Sequence, residues 1–153
     1  MYLYRINSCK YSKDLSGTGG LYAPGRWHYQ GTRIIYFSEH ISLAKLEILA
    51  NSTFLSKKMC LITVHVEDTI LVETLSQNEL PENWASYPHP DELKQITKLW
   101  IEKSSSVLLK VSSAQSSAEF NYLFNPVHRD VAQIRLLSCE EITFDNRLKL
   151  FND

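Results

Sequence analysis

The chain lacks several things that would have decided its class at once. It has no excess of charge of either sign: 16 Lys and Arg stand against 17 Asp and Glu, for a net charge of −1. A nucleic-acid binder of this size needs a basic field, and neither the total nor any Lys/Arg run provides one. No apolar stretch approaches the length of a membrane span, and MYLYRINSCKYSKD has no apolar signal core, so a cytoplasmic protein away from membranes is expected. Cysteine is scarce. Cys9, Cys60 and Cys139 are odd in number and widely spaced, which predicts a reducing compartment rather than a disulfide framework. Repeats and low-complexity tracts are missing too. With 153 residues, 44% hydrophobic and 22% charged, the chain suits one domain, 1–153, with a substantial core.

Glycine is also scarce, and its distribution is informative. All five glycines lie between Gly17 and Gly31, and six of the eight tyrosines lie at or before Tyr36. Glycines gathered in one loop let the backbone bend tightly or allow a close approach. The window leads into Arg26, Tyr36 and Glu47, a set that suits an anionic ligand carrying a ring.

Local patterns predict α+β. Residues 2–6 and 33–37 read as strands, and Ser38 can cap a helix running to about Asn51 with Glu39 in its first turn. Ile62, Val64 and Val66 alternate with Thr63, His65 and Glu67, which predicts a half-buried strand over 59–67. Further strands are expected over 69–75, 107–111 and 133–144, the last as one strand or as two joined by a bend. LPENW (80–84) reads as a turn and 91–103 as a second helix. Strands and helices not in strict alternation predict a compact domain with a mixed or antiparallel sheet and flanking helices. On the first helix, a wheel puts Glu47 between Leu43 and Ala44, on the apolar side. A carboxylate there is costly unless paired, so it is either half of a structural ion pair or a group held in a cleft for use.

Familiar nucleotide and metal motifs fail. GTGGLY lacks the third glycine of a dinucleotide fingerprint, with no helix evident after it. GLYAPGRW has Arg26-Trp27 where a phosphate loop needs Lys-Ser/Thr. The five histidines show no zinc-ligand spacing with the cysteines, and no nucleophile elbow precedes the serines of 104–117.

GRWHYQGTRIIYFSEHISLAKLE, followed by LPENW, Trp100 and VLLKVSSAQSSAEFNYLFNPVH, resembles the signature segments of the RES-domain proteins, over residues 25–128. By motif position Arg26, Glu47 and Ser113 match the family's arginine, glutamate and serine. Tyr36 matches the intervening tyrosine, and Arg5 the additional arginine near the start of many members. His28 stands where asparagine is common, Ser112 where proline is frequent, and residues 115–118 form an altered connection.

The resemblance implies a fold similar to the ADP-ribosyltransferases and a role as toxin of a bacterial toxin–antitoxin pair. It implies degradation of NAD by hydrolysis or phosphorolysis, with phosphate as co-substrate in the latter, or transfer of ADP-ribose to a protein. An Xre-type antitoxin would be the partner. NAD is then substrate, and no cofactor or metal is expected; a homodimer is left open. On this reading Arg26 and Arg5 serve the pyrophosphate, Tyr36 the nicotinamide ring or a ribose, and Glu47 the ribose as positive charge develops. Ser113 would hydrogen-bond Glu47 or the ribose, and Asn121 would add a polar contact. Each has a plainer alternative: a surface residue for Arg5, core for Tyr36, a turn former for Asn121. A nucleotide-binding module without catalysis is the reading from another class.

Overall fold

The computed structural model describes residues 1–52, 58–145 and 147–148. The alternation of apolar residues lays seven strands into one sheet: β1 (Tyr2–Ser8), β2 (Ile35–Ser38), β3 (Met59–Val66), β4 (Val72–Thr74), β5 (Leu108–Ser112), β6 (Phe120–Phe124) and β7 (Ile134–Ile142). Their order is β4-β5-β6-β2-β1-β3-β7, antiparallel except for the β4–β5 pair. The helices are a single turn α1 (Gly19–Tyr22), α2 (Ile41–Asn51) and α3 (Glu92–Lys103). The expected α+β class is what the chain adopts.

Strand alternation sorts the core by sheet face. Leu3, Ile35, Phe37, Ile62, Val64, Val66, Leu108, Tyr122 and Phe124 pack on one face, which loops close through Leu15, Ile70 and Val131. The opposite face carries both long helices. Leu93 and Trp100 of α3 pack with Trp27, Trp84, Leu109, Val111 and Leu123. Ala44 of α2 packs with Ile6 and Met59. A valley is left on that face between the helices, over β1, β2 and β6.

The floor of the valley is split. β1 pairs with β3 from Tyr2↔His65 to Ser8↔Met59, yet its register with β2 is the single pair Tyr4↔Ser38. Beyond Tyr4 the two strands part, and the polar backbone edge of β1 opens toward the gap.

Several local expectations are corrected. Ser38 does not cap α2. It ends β2, its hydroxyl donates to Asn121 Oδ1 at 2.8 Å, and His40 is the N-cap residue. Glu39 instead accepts from the Phe120 backbone N–H. Within 133–144 a single strand forms, Ile134–Ile142, with the register irregularity opposite Thr63 and Val64. A strand not foreseen, β6, sits between β5 and β2. Gly19–Tyr22 forms a helical turn where none was evident. The cysteine expectation fails most plainly: Cys9 and Cys60 form a disulfide, with Cα atoms 4.9 Å apart. The β1–β3 register causes this, since Asn7 faces Cys60 and the turn after Ser8 brings Cys9 back over it. Cys139 stays free.

Candidate active site

The valley and the split together form a cavity of about 660 Å³, a size suited to a nucleotide-class ligand. Its floor is Tyr4, Ile6, Tyr36, Ser38 and Asn121; α2 contributes Ala44, Glu47, Ile48 and Asn51; the glycine-rich loop and the 87–89 segment form the outer walls.

Glu47 lies one turn beyond the buried Leu43 and Ala44, half-buried and facing the cavity. It is not half of an ion pair among the described residues. Its Oε1 accepts from Ser113 Oγ at 2.9 Å and from Asn121 Nδ2 at 2.5 Å. Among the described residues its Oε2 takes only a longer contact, 3.3 Å from Asn51 Nδ2. Both donors are themselves fixed. Asn121 Oδ1 is bound by Ser38, and Ser113 Oγ accepts from the Gln115 N–H at 3.0 Å. One carboxylate oxygen thus takes both short bonds, while the residue as a whole borders the cavity. Ser113 is 1% exposed and does not line the cavity; its link to it is the hydrogen bond to Glu47. Asn121 is a strand residue on the cavity floor, not a turn former.

Arg26 bridges two signature segments. Its Nη1 donates to the carbonyls of Trp84, at 2.8 Å, and Ser86, at 3.3 Å, tying the glycine-rich loop to the LPENW turn. Nε and Nη2 have no hydrogen-bond partner among the described residues and remain for a ligand. Burial lowers the Arg26 pKa, against the attraction of Glu47 and Tyr36. A guanidinium keeps its charge regardless.

Tyr36 reaches back beneath the loop. Its hydroxyl oxygen accepts from the Trp27 N–H at 3.3 Å and lies 2.6 Å from His28 Nδ1. His28 Nε2 faces the Ala23 carbonyl at 3.0 Å. A carbonyl only accepts, so Nε2 carries the proton and Nδ1 takes the tyrosine's. Burial lowers the His28 pKa and raises that of Tyr36, so both stay neutral. His28 is therefore a packed and hydrogen-bonded part of the loop, which sequence reading did not include in the site. Gly25 makes room for it, because a Cβ there would lie 2.7 Å from His28 Cε1 and 2.9 Å from Tyr36 Oη.

Arg5 is placed differently from the rest. Its register partner is Ile62, on the sheet face opposite Tyr36 and Glu47, and it borders the cavity where β1 and β2 part. Burial lowers its pKa and the nearby Asp14 charge opposes this. No His, Cys, Asp or Glu cluster among the described residues could hold a metal ion.

Comparison with known proteins agrees with this architecture. The solved structure of the Mycobacterium tuberculosis MbcT–MbcA toxin–antitoxin complex contains a chain similar in fold. Its TM-score is 0.71 at 18% identity, over 93% of this chain and 84% of that one. Toxin Res of Pseudomonas putida is 34% identical over 155 residues, covering 97% of this chain and 99% of its own length. The Prs ADP-ribosylating toxin of a Sphingobium species is 30% identical over 139 residues, covering 88% and 86%. The RES domain model matches residues 2–145, a span that includes every residue lining the cavity. The chain belongs to the RES domain family.

Proposed function

We propose that the protein is the toxin of a toxin–antitoxin pair, acting in the cytoplasm, and that its cavity binds NAD and cleaves the nicotinamide–ribose bond. The observation that carries this reading is the Glu47 carboxylate, held by Ser113 and Asn121 at the edge of a cavity bordered by Arg26, Arg5 and Tyr36. The names of the relatives support the toxin role, and the fold shared with a toxin–antitoxin chain is compatible with it.

The chemistry follows from the groups present. Arg26 and Arg5 take the pyrophosphate oxygens through charge-assisted hydrogen bonds. The Tyr36 hydroxyl is engaged by Trp27 and His28, so the tyrosine offers the substrate mainly its ring. The C1′–N bond breaks with its electron pair going to nicotinamide, which departs neutral and needs no general acid. Positive charge builds on the ribose ring as the bond lengthens. A fixed carboxylate stabilises that charge more than the ground state, and this difference is catalysis. Water or phosphate then bonds to C1′ and releases a proton, giving ADP-ribose or ADP-ribose 1-phosphate. An Xre-type antitoxin would act by covering the cavity mouth.

The test is nicotinamide release from NAD by purified, antitoxin-free protein, with and without phosphate. Glu47→Gln should lose about 10²–10⁴-fold in kcat while keeping its fold, since the amide oxygen still accepts from Ser113 and Asn121. Absence of nicotinamide release from the wild type under both conditions defeats the reading.

A second reading is favoured by the Sphingobium relative's name: transfer of ADP-ribose to a protein. It uses the same donor site. Label from NAD carried into a macromolecule would select it over free ADP-ribose.

A further inference from the structure

The charge lining the cavity is not that of the whole chain. Arg5, Arg26 and Lys94 line it against one carboxylate, Glu47, in a chain whose acidic residues outnumber its basic ones. Two of the cations stand on the outer wall, away from Glu47's anchor on the sheet. There the Ser86 carbonyl accepts from Arg26 Nη1 at 3.3 Å and from His89 Nδ1 at 3.2 Å. One oxygen therefore holds the guanidinium and the imidazole side by side. Because that oxygen only accepts, His89 Nδ1 carries the proton, and Nε2 of the neutral ring is an acceptor that offers an anion no donor. Lys94, on the first turn of α3, completes the wall.

Lys94 is weakly committed elsewhere. Among the described residues its nearest carboxylate oxygen is Asp91 Oδ1, at 4.0 Å, and Asp91 Oδ2 is occupied by the Tyr29 hydroxyl at 2.5 Å. Its Nζ lies 5.5 Å from the centre of the Tyr29 ring. The side chain is 20% exposed, which is low for a lysine without a close ion pair. Behind burial, the charges of Arg26 and Lys94 both help to lower the His89 pKa, which is how converging cations act on a third base. Arg26 and Lys94, converging beside the His89 ring, lack only an anion.

We infer that Arg26 and Lys94 form a phosphate-oxyanion subsite on the outer wall of the cavity, beside His89, with Lys94 as the residue that sets its affinity. This deepens the proposed function and rests on it for the identity of the substrate. The phosphate comes either from the dinucleotide's own pyrophosphate or from free phosphate entering as co-substrate.

Binding calorimetry with ADP and, separately, inorganic phosphate tests this on wild type, Lys94→Met and a control, Lys98→Met. Lys98 lies on the same helix, is 56% exposed and does not line the cavity. Lys94→Met should weaken one of the probes about tenfold, the loss of one charge-assisted hydrogen bond. The control should bind both like the wild type, and the three proteins should share one circular-dichroism spectrum. Weakened ADP binding with unchanged phosphate binding assigns the subsite to the nucleotide; weakened binding of phosphate assigns it to the free anion. If Lys94→Met binds both probes as the wild type does, or if the wild type binds neither, the subsite is wrong. The readout is independent of turnover. Lys94-dependent ADP binding without nicotinamide release would leave the subsite standing and remove the catalytic reading. Nicotinamide release with Lys94-independent binding would do the reverse.

Discussion

Replacing Gly25 by alanine is the sharpest test of how the glycine-rich loop builds the site. A Cβ at Gly25 would meet His28 Cε1 at 2.7 Å, His28 Nδ1 at 2.8 Å and Tyr36 Oη at 2.9 Å. Carbon contacts settle at about 3.5 Å or more, so each neighbour must yield by half an ångström or more. Neither ring can do so cheaply. His28 is held at both nitrogens, and Tyr36 Oη is held by Trp27 and His28. Overpacking of this kind costs about 1–3 kcal/mol. For a domain of this size that lowers Tm by roughly 2–12 °C. Arg26 follows Gly25 directly, so a displaced loop should also raise KM for NAD about tenfold, the effect of losing roughly 1.4 kcal/mol of binding, with kcat much less affected. The control is Gly19→Ala. Gly19 opens the helical turn α1 with nothing within 4 Å of its Cβ, and the substitution should stabilise by about 0.4–1 kcal/mol. Differential scanning calorimetry and steady-state kinetics read both. If Gly25→Ala melts and binds like the wild type, the close packing of His28 and Tyr36 under the loop is not what shapes the site.

Ser113→Ala should lower kcat about tenfold by freeing one side of the Glu47 carboxylate, with KM for NAD nearly unchanged because Ser113 does not line the cavity. A Ser113→Thr variant keeps the hydroxyl and should recover part of the loss, which a purely structural role would not require. Stability should rise with pH through the range just below neutrality: the folded-state pKa of His28 is lowered by burial, so the unfolded chain protonates first as pH falls below about 6.5. That contribution is complete above the unfolded value and is lost as pH falls to the lowered folded one; urea titrations of wild type and His28→Gln should differ by that slope. Replacing Cys9 and Cys60 by serine opens a link of sequence separation 51 and should cost about 2–4 kcal/mol, read as a Tm drop of roughly 4–16 °C that a reductant reproduces in the wild type.

What could be read in advance was local. The wheel put Glu47 beside Leu43 and Ala44 because 3.6-residue periodicity is a property of the segment itself, and the chain keeps that arrangement. The Gly25-Arg26 step likewise signalled a close approach, although what approaches is a histidine from the same loop. By contrast β6 was missed because FNYLF is short and carries an asparagine, which reads equally well as a turn. Ser38 was misread as a cap because the same hydroxyl can serve a helix end or a neighbouring strand, and only the partner decides. Cys9 and Cys60 gave no local cue, since their proximity depends on the β1–β3 register.

The amino-acid sequence by itself determined much of which residues turn inward, and so which side chains were available to a site: the alternation of β3, the place of Glu47 beside Leu43 and Ala44 on α2, the glycine window before Arg26. Tertiary structure alone decided that these become one site. Asn121 and Ser113 meet Glu47 across 74 and 66 residues of chain, and β1 parts from β2 after Tyr4 to open the floor of the cavity. Periodicity is set by neighbours a few residues apart. Register and strand order are set by which distant surfaces bury each other best, a choice the whole chain makes together.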